Sequence, residues 1–238
     1  MTLTLTVTAT ATPTATAAAA TDWSPLWLSL RVSATATALV AVTGTAAAYL
    51  LAKGRFPGRG LLEAVASLPI VLPPTVLGYY LLVFVGRRSP LGRAWETVTG
   101  RPITFTVTGA VLAATVAAFP FCLRAARAAI ESVDATVEQA ARTMGLPEWR
   151  VAVTVTLPLA ARGIVAGVTL AFARALGDFG ATLMVAGNVP GRTQTMPIAV
   201  YDAVQAGDDG RAAAAALVLS GVAVLVLVAV SRLGTRAP

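Results

Sequence analysis

Arg174 and Asp178 are spaced to pair inside an apolar stretch, Ala171-Phe172-Ala173-Arg174-Ala175-Leu176-Gly177-Asp178-Phe179-Gly180-Ala181-Thr182. On a continuous helix, residues four apart share a face. Ionisable groups inside a membrane are costly and usually face a bundle interior or a water-filled cavity. Two readings stand side by side. The pair lines or frames a pathway, together with Gly177, Phe179 and Gly180, or it fixes helix packing. Asp178 partly neutralises Arg174, so a tight anion site is not expected there.

Catalysis has little to work with. The chain has no His and one Cys, Cys122. A disulfide within the chain and a Cys/His zinc site are therefore excluded, and no imidazole can act as a base. The single Lys, Lys53, follows Tyr49-Leu50-Leu51-Ala52, which is no phosphate-binding glycine loop. If this chain serves ATP-driven transport, the ATPase is another polypeptide. No cofactor or metal is expected, and the chain is not read as an enzyme.

The composition belongs to an integral membrane protein. Of 238 residues, 56% are hydrophobic and 12% charged, against roughly 25% charged in soluble domains. Mean hydropathy is +0.75. The 18 basic residues outnumber the 11 acidic ones. They are scattered between apolar runs, without the continuous patch of a nucleic-acid binder. They read as topology determinants and lipid-headgroup partners.

Five stretches are long enough to cross a bilayer, which takes about 20 residues. They are roughly 27–52, 61–86, 104–129, 161–187 and 212–232. Residues 1–25 read as a Thr/Ala low-complexity tail and 26–238 as one transmembrane domain. Pro69, Pro73 and Pro74 bend or break the second span, which either lines a pathway or is kinked for packing. Gly163 and Gly167 form a small-residue pair at the start of the fourth span; in a chain this rich in Ala and Gly, it is read as chance.

Positive charges near the span ends orient the chain. An outside N-terminus and a cytoplasmic C-terminus put ten basic residues inside and seven outside. The outside loop around 86–103 is unusually basic. Arg87 and Arg88 there either dock an external partner's acidic surface or snorkel to headgroups. Asp202, Asp208 and Asp209 read as a solvated loop.

The polar island is residues 137–158, inside a loop of about residues 131–160. Asp134 caps a helix start, with Glu138 in the first turn. Val137, Ala140, Ala141 and Met144 recur at helical spacing. Gly145 supplies a left-handed residue, and Pro147 opens a second helix that should end before Pro158. The outcome is two short helices with a sharp bend, whose alanines let a partner come close.

Gln139-Ala140-Ala141, Gly145 and Leu157-Pro158 at these spacings resemble the EAA loop of ABC-transporter permeases. Gln139 stands where Glu is common, with Glu138 beside it, and Val155 where Ile is common. Ser67 to Leu82, Gly86-Arg87-Arg88, Phe172 to Thr182 and Asn188 to Thr193 extend the likeness to about residues 27–233. They resemble the molybdate ABC-transporter permease subunits. The resemblance implies an all-α type I importer fold with about five transmembrane helices and a cytoplasmic coupling helix. It implies a homodimer in the cytoplasmic (inner) membrane, a cytoplasmic ATP-binding subunit and an extracytoplasmic oxyanion-binding protein. The implied substrate is molybdate, with tungstate hard to separate from it. The alternative is a sulfate/thiosulfate permease.

Overall fold

The computed structural model describes residues 22–236, which are helical throughout their ordered elements. Most of the Thr/Ala tail lies outside the described residues. Helix α1 runs Ser24–Lys53, with Pro25 in its first turn, where a missing N–H costs nothing. Helix α5, Val107–Glu131, passes through the middle of the bundle, against α1 and against α9, Ala161–Leu176. The core between these three is built largely of alanine, including Ala36, Ala114, Ala118 and Ala171. Small side chains let backbones approach, which is how helices gain contact in a lipid setting.

Gly163 and Gly167 belong to that close approach, which corrects their reading as chance. A Cβ on Gly163 would run into the Ala129 side chain, and one on Gly167 would meet Ala125 Cβ at 2.9 Å. The two glycines therefore press α9 onto α5.

The second span is broken. Helix α2, Arg59–Val71, and helix α3, Pro74–Val85, meet at 119°. Pro73 and Pro74 remove two successive donors, and Leu72, preceding proline, is extended at φ −71°, ψ 136°. The basic loop between α3 and α5 contains its own helix, α4, Pro90–Thr99, capped by Ser89 Oγ accepting from the Gly92 amide at 2.9 Å.

The segment expected to couple is α6, Ala135–Thr143, then a bend, then a run from Glu148 to Leu159. That run is α7, Glu148–Val151, a π turn at Ala152–Thr156, and α8, Leu157–Leu159. It does not stop before Pro158, contrary to expectation. Pro158 cannot donate, and its ring crowds the carbonyl four residues back. The wider turn accommodates it, with the Leu157 amide bonding to Ala152 O. A 75° bend then leads into α9.

The fourth span is also interrupted. It ends as α9 at Leu176 and resumes as α10, Gly180–Ala186. Helix α11, Met196–Gln205, and the long α12, Asp209–Arg236, follow. Among the described residues, three helices are long and apolar enough to span a membrane alone, and two bent pairs bring the number to five.

Candidate functional site

Three places carry the residues of interest: the α6–α7 elbow at one end of the bundle, the double break at its centre, and a basic cleft at the other end.

The elbow turns at Gly145, whose φ of +80° is open to glycine at little cost. Its amide bonds to Arg142 O at 2.9 Å. Arg142 closes the bend by donating to both oxygens of Glu148, at 2.6 and 3.2 Å. That bond holds the Glu148 carboxyl below its ordinary value. Asp134 Oδ1 accepts from the Thr136 amide at 2.8 Å, which lowers its pKa too and caps α6 as expected.

The expected coupling residues divide by exposure. Gln139, Ala140, Gly145 and Pro158 are exposed, while Leu157 is half-buried against the lower core. Glu138 and Ala141 face inward, Glu138 only 3% exposed. Lys53 Nζ lies 2.8 Å from the Glu138 carboxylate, and Thr156 Oγ1 donates to Glu138 Oε1 at 2.7 Å. Glu138 thus ties α6 to the end of α1 and to the π turn. The outward face of the elbow is apolar, with Met144 75% and Trp149 64% exposed. Sequence reasoning overlooked Trp149 and the Lys53–Glu138–Thr156 contact. The latter joins residues 85 positions apart, and the chain's single lysine was its only signal.

At the centre, Arg174, Gly177, Asp178, Phe179 and Gly180 all line one cleft of about 530 Å³. Pro69, Leu72 and Pro74 of the broken second span line it with them. Arg174 Nη1 donates to Asp178 Oδ1 at 3.0 Å, so the pair is present. The face is not that of one continuous helix, however. Asp178 lies beyond the end of α9, and its Oδ2 accepts from the Thr182 amide at 2.9 Å and hydroxyl at 2.7 Å. Asp178 therefore satisfies first-turn donors of α10 while neutralising Arg174. Gly180 lets α10 meet α3, since a Cβ there would approach Pro74 Cβ to 2.9 Å. Phe179 packs on Tyr201, ring centroids 5.1 Å apart.

At the far end, Arg87, Arg88, Arg101 and Arg192 line a cleft of about 1250 Å³. Arg87 reaches Glu96 at 3.3 Å, and Arg88 is exposed. Asp202 is not a free loop carboxylate. It accepts from Asn188 Nδ2 at 3.1 Å and Gln194 Nε2 at 3.2 Å. Asp208 Oδ1 accepts from the Arg211 amide at the start of α12. No cluster of metal-binding side chains occurs among the described residues.

Interrupted spans around a central cleft, with an exposed elbow at one end, define a type I ABC importer permease. The fold matches a solved inward-facing MetNI methionine ABC transporter at a TM-score of 0.69 and 18% identity, over 90% of this chain and 94% of that one. Residues 41–237 match the model of the binding-protein-dependent transport system inner membrane component, and the chain belongs to that family. It is a multi-pass membrane transport subunit, not itself an enzyme. The molybdenum transport system permease protein of Escherichia coli strain K12 is 46% identical over 193 residues, 80% of this chain and 84% of that protein. A sulfate transport system permease protein of Synechocystis sp. is 35% identical over 205 residues, 86% of this chain and 74% of that one.

Proposed function

We propose that this chain is the permease subunit of an ATP-driven importer that carries molybdate, with tungstate as a companion substrate, across the cytoplasmic membrane. The observation that carries the transport reading is the elbow: a pre-bent, outward-apolar pair of helices buttressed from behind by Glu138. A cytoplasmic ATP-binding subunit grips the α6–α7 elbow through Gln139, Ala140, Gly145, Met144 and Trp149. Glu138 and Ala141 act from behind, and Leu157 and Pro158 pass the motion into α9. Two copies of the chain enclose the path, and an extracytoplasmic oxyanion-binding protein delivers the ion, docking at Arg87 and Arg88. The N-terminus is outside and the C-terminus cytoplasmic. That orientation puts the elbow in the compartment where ATP is found.

The central cleft is read as the gate region. Arg174 is neutralised by Asp178 and so offers an anion only a weak hold, which suits passage. The substrate reading rests on the higher identity to the molybdenum relative, 46% against 35% for the sulfate one. A sulfate/thiosulfate permease is the second reading.

Reconstitution tests both. Vesicles holding the chain, its ATPase and the binding protein are expected to take up radiolabelled molybdate only with ATP. Tungstate should compete, and sulfate in modest excess should not. Equal competition by sulfate would move the assignment to the second reading, and uptake without ATPase or ATP would overturn the importer itself.

A further inference from the structure

The cleft at the end opposite the elbow is lined by four arginines and by no carboxylate. Arg88, Arg101 and Arg192 have no acidic partner within ion-pair distance among the described residues. They come from three separate segments: the turn after α3, the entry to α5, and the loop between α10 and α11. Chain proximity therefore does not explain their meeting, and their mutual repulsion opposes it.

A second, independent feature points the same way. The N-terminus of α5, a 25-residue helix, opens on this cleft through Thr106, Val107 and Thr108. Thr106 Oγ1 already accepts from the Gly109 amide at 3.3 Å, and the Val107 and Thr108 amides with the helix dipole favour an anion there. Phe105 is the one non-glycine residue with positive φ among the described residues, at +59°. Its amide donates to Val185 O at 2.9 Å, and its ring sits where a Cβ on Gly187 would come within 3.0 Å. A bulky residue held in this region is uncommon and marks a position fixed by its surroundings.

We propose that this cleft is an extracytoplasmic holding site for a tetrahedral oxyanion dianion, with Arg88, Arg101 and Arg192 supplying charge and the α5 N-terminus supplying backbone donors. The proposal rests on the oxyanion reading of the transported solute given above. The recessed floor suits a small ion beneath a protein docked on the rim at Arg87 and Arg88, because the floor residues Thr104 and Thr193 are 6% and 2% exposed. Guanidinium forks suit such oxygens. The arginines themselves are exposed, so binding is weak and screened by salt. A site that receives an ion and passes it on needs that weakness. Arg174 differs because Asp178 already occupies it.

Trp95 lines the same cleft and serves as reporter. The chain purified with its ATPase, in zwitterionic nanodiscs and without binding protein, is titrated with molybdate while tryptophan fluorescence is followed. We expect a saturable change that disappears in W95F. Its apparent affinity should fall about tenfold in R101Q/R192Q, and similarly when salt rises from about 50 to 500 mM. Both arginines are exposed, so the double variant folds; its melting point should match wild type. No Trp95-dependent change at tens of millimolar, or an unchanged titration in the double variant, overturns the site. Weaker capture of the binding protein by the double variant, with an unchanged ion titration, makes the cleft a docking surface instead. A response to sulfate but none to molybdate supports the site and counts against the molybdate assignment of the transporter.

Discussion

The two ends of the bundle are both rich in basic residues and differ in how far carboxylates meet them. At the elbow end, Lys53, Arg59, Arg127 and Arg142 each meet a carboxylate: Glu138, Glu131, Glu63 with Glu131, and Glu148 respectively. At the far end, Arg88, Arg101 and Arg192 meet none. A paired charge fixes geometry and projects little field. An unpaired charge fixes nothing and projects its field outward. The first arrangement suits a part that must transmit a push, the second a part that must attract an ion. Between them, Asp178 combines the two, since it neutralises Arg174 and anchors a helix start.

The comparison is tested most severely at that middle point. Asp178 has a fully buried side chain holding three donors, one from Arg174 and two from Thr182. Asp178→Ala strands all of them, and removing one partner of a buried pair costs about 3–5 kcal/mol. We expect little assembled protein. Arg174→Ala should be milder, because Asp178 keeps its two Thr182 bonds. If the pair were only a pair, the double variant would regain full assembly. We expect partial recovery, with the Thr182 donors still orphaned. Size-exclusion yield of the assembled complex measures it, and complete recovery would reduce Asp178 to a simple counter-ion.

At the paired end, Glu138→Ala should cost about 3 kcal/mol, since it leaves the buried Thr156 hydroxyl unsatisfied and Lys53 unpartnered. Glu138 holds one Thr156 donor besides Lys53, where Asp178 holds two Thr182 donors besides Arg174, which keeps the loss below that for Asp178. Melting of the purified complex should drop, and substrate-stimulated ATP hydrolysis should fall further than basal hydrolysis. Equal loss of both activities would mean that Glu138 stabilises the chain without transmitting motion.

Gly145→Val comes next. Nothing lies within 4 Å of a Cβ at this position, so only the backbone resists, by roughly 1–2 kcal/mol for a left-handed residue. The elbow should straighten while the chain still inserts. Copurification of the ATPase and molybdate uptake should both decline, and normal values for both would remove the elbow from coupling.

Much of this layout was legible in the residues. Gly145 between two helical patterns, the Asp134 cap and the consecutive prolines at 73 and 74 each act locally, so their effects follow from neighbours in the chain. What escaped depends on distant partners or on apolar continuity. Gly177 and Gly180 on either side of Asp178 let the helix bend, but the full break at Gly177–Phe179 depends on Asp178 turning to the Thr182 donors. Gly163 and Gly167 gain meaning only from Ala125 and Ala129 on another helix. The four arginines of the larger basic cleft are spread from position 87 to 192. The basic loop 86–103 is visible in the sequence, but its convergence with Arg192 is not.

The smallest expected effect is at Glu148, and it tests whether even an exposed pair at the elbow end fixes geometry. Glu148 ordinarily titrates near 4.5, and its bond with Arg142 lowers that value in the folded chain. A carboxyl with a lowered folded-state pKa stabilises fully above its unfolded value. That contribution fades as pH falls through the folded-state value. Exposure and salt keep it small. Amide exchange in the isolated chain reads it directly, because the Gly145 amide bonds to Arg142 O and the Leu146 amide to Ala141 O, at 2.9 and 3.4 Å. After correction for intrinsic exchange, protection at these two amides should decline from about pH 6 toward pH 3. In Glu148→Gln it should be lower at neutral pH and flatter below. High salt should bring wild type toward the variant. If wild type and variant respond alike to acid, the Arg142–Glu148 bond does not hold the bend, and the positive-φ glycine with its two backbone bonds is sufficient to set the elbow.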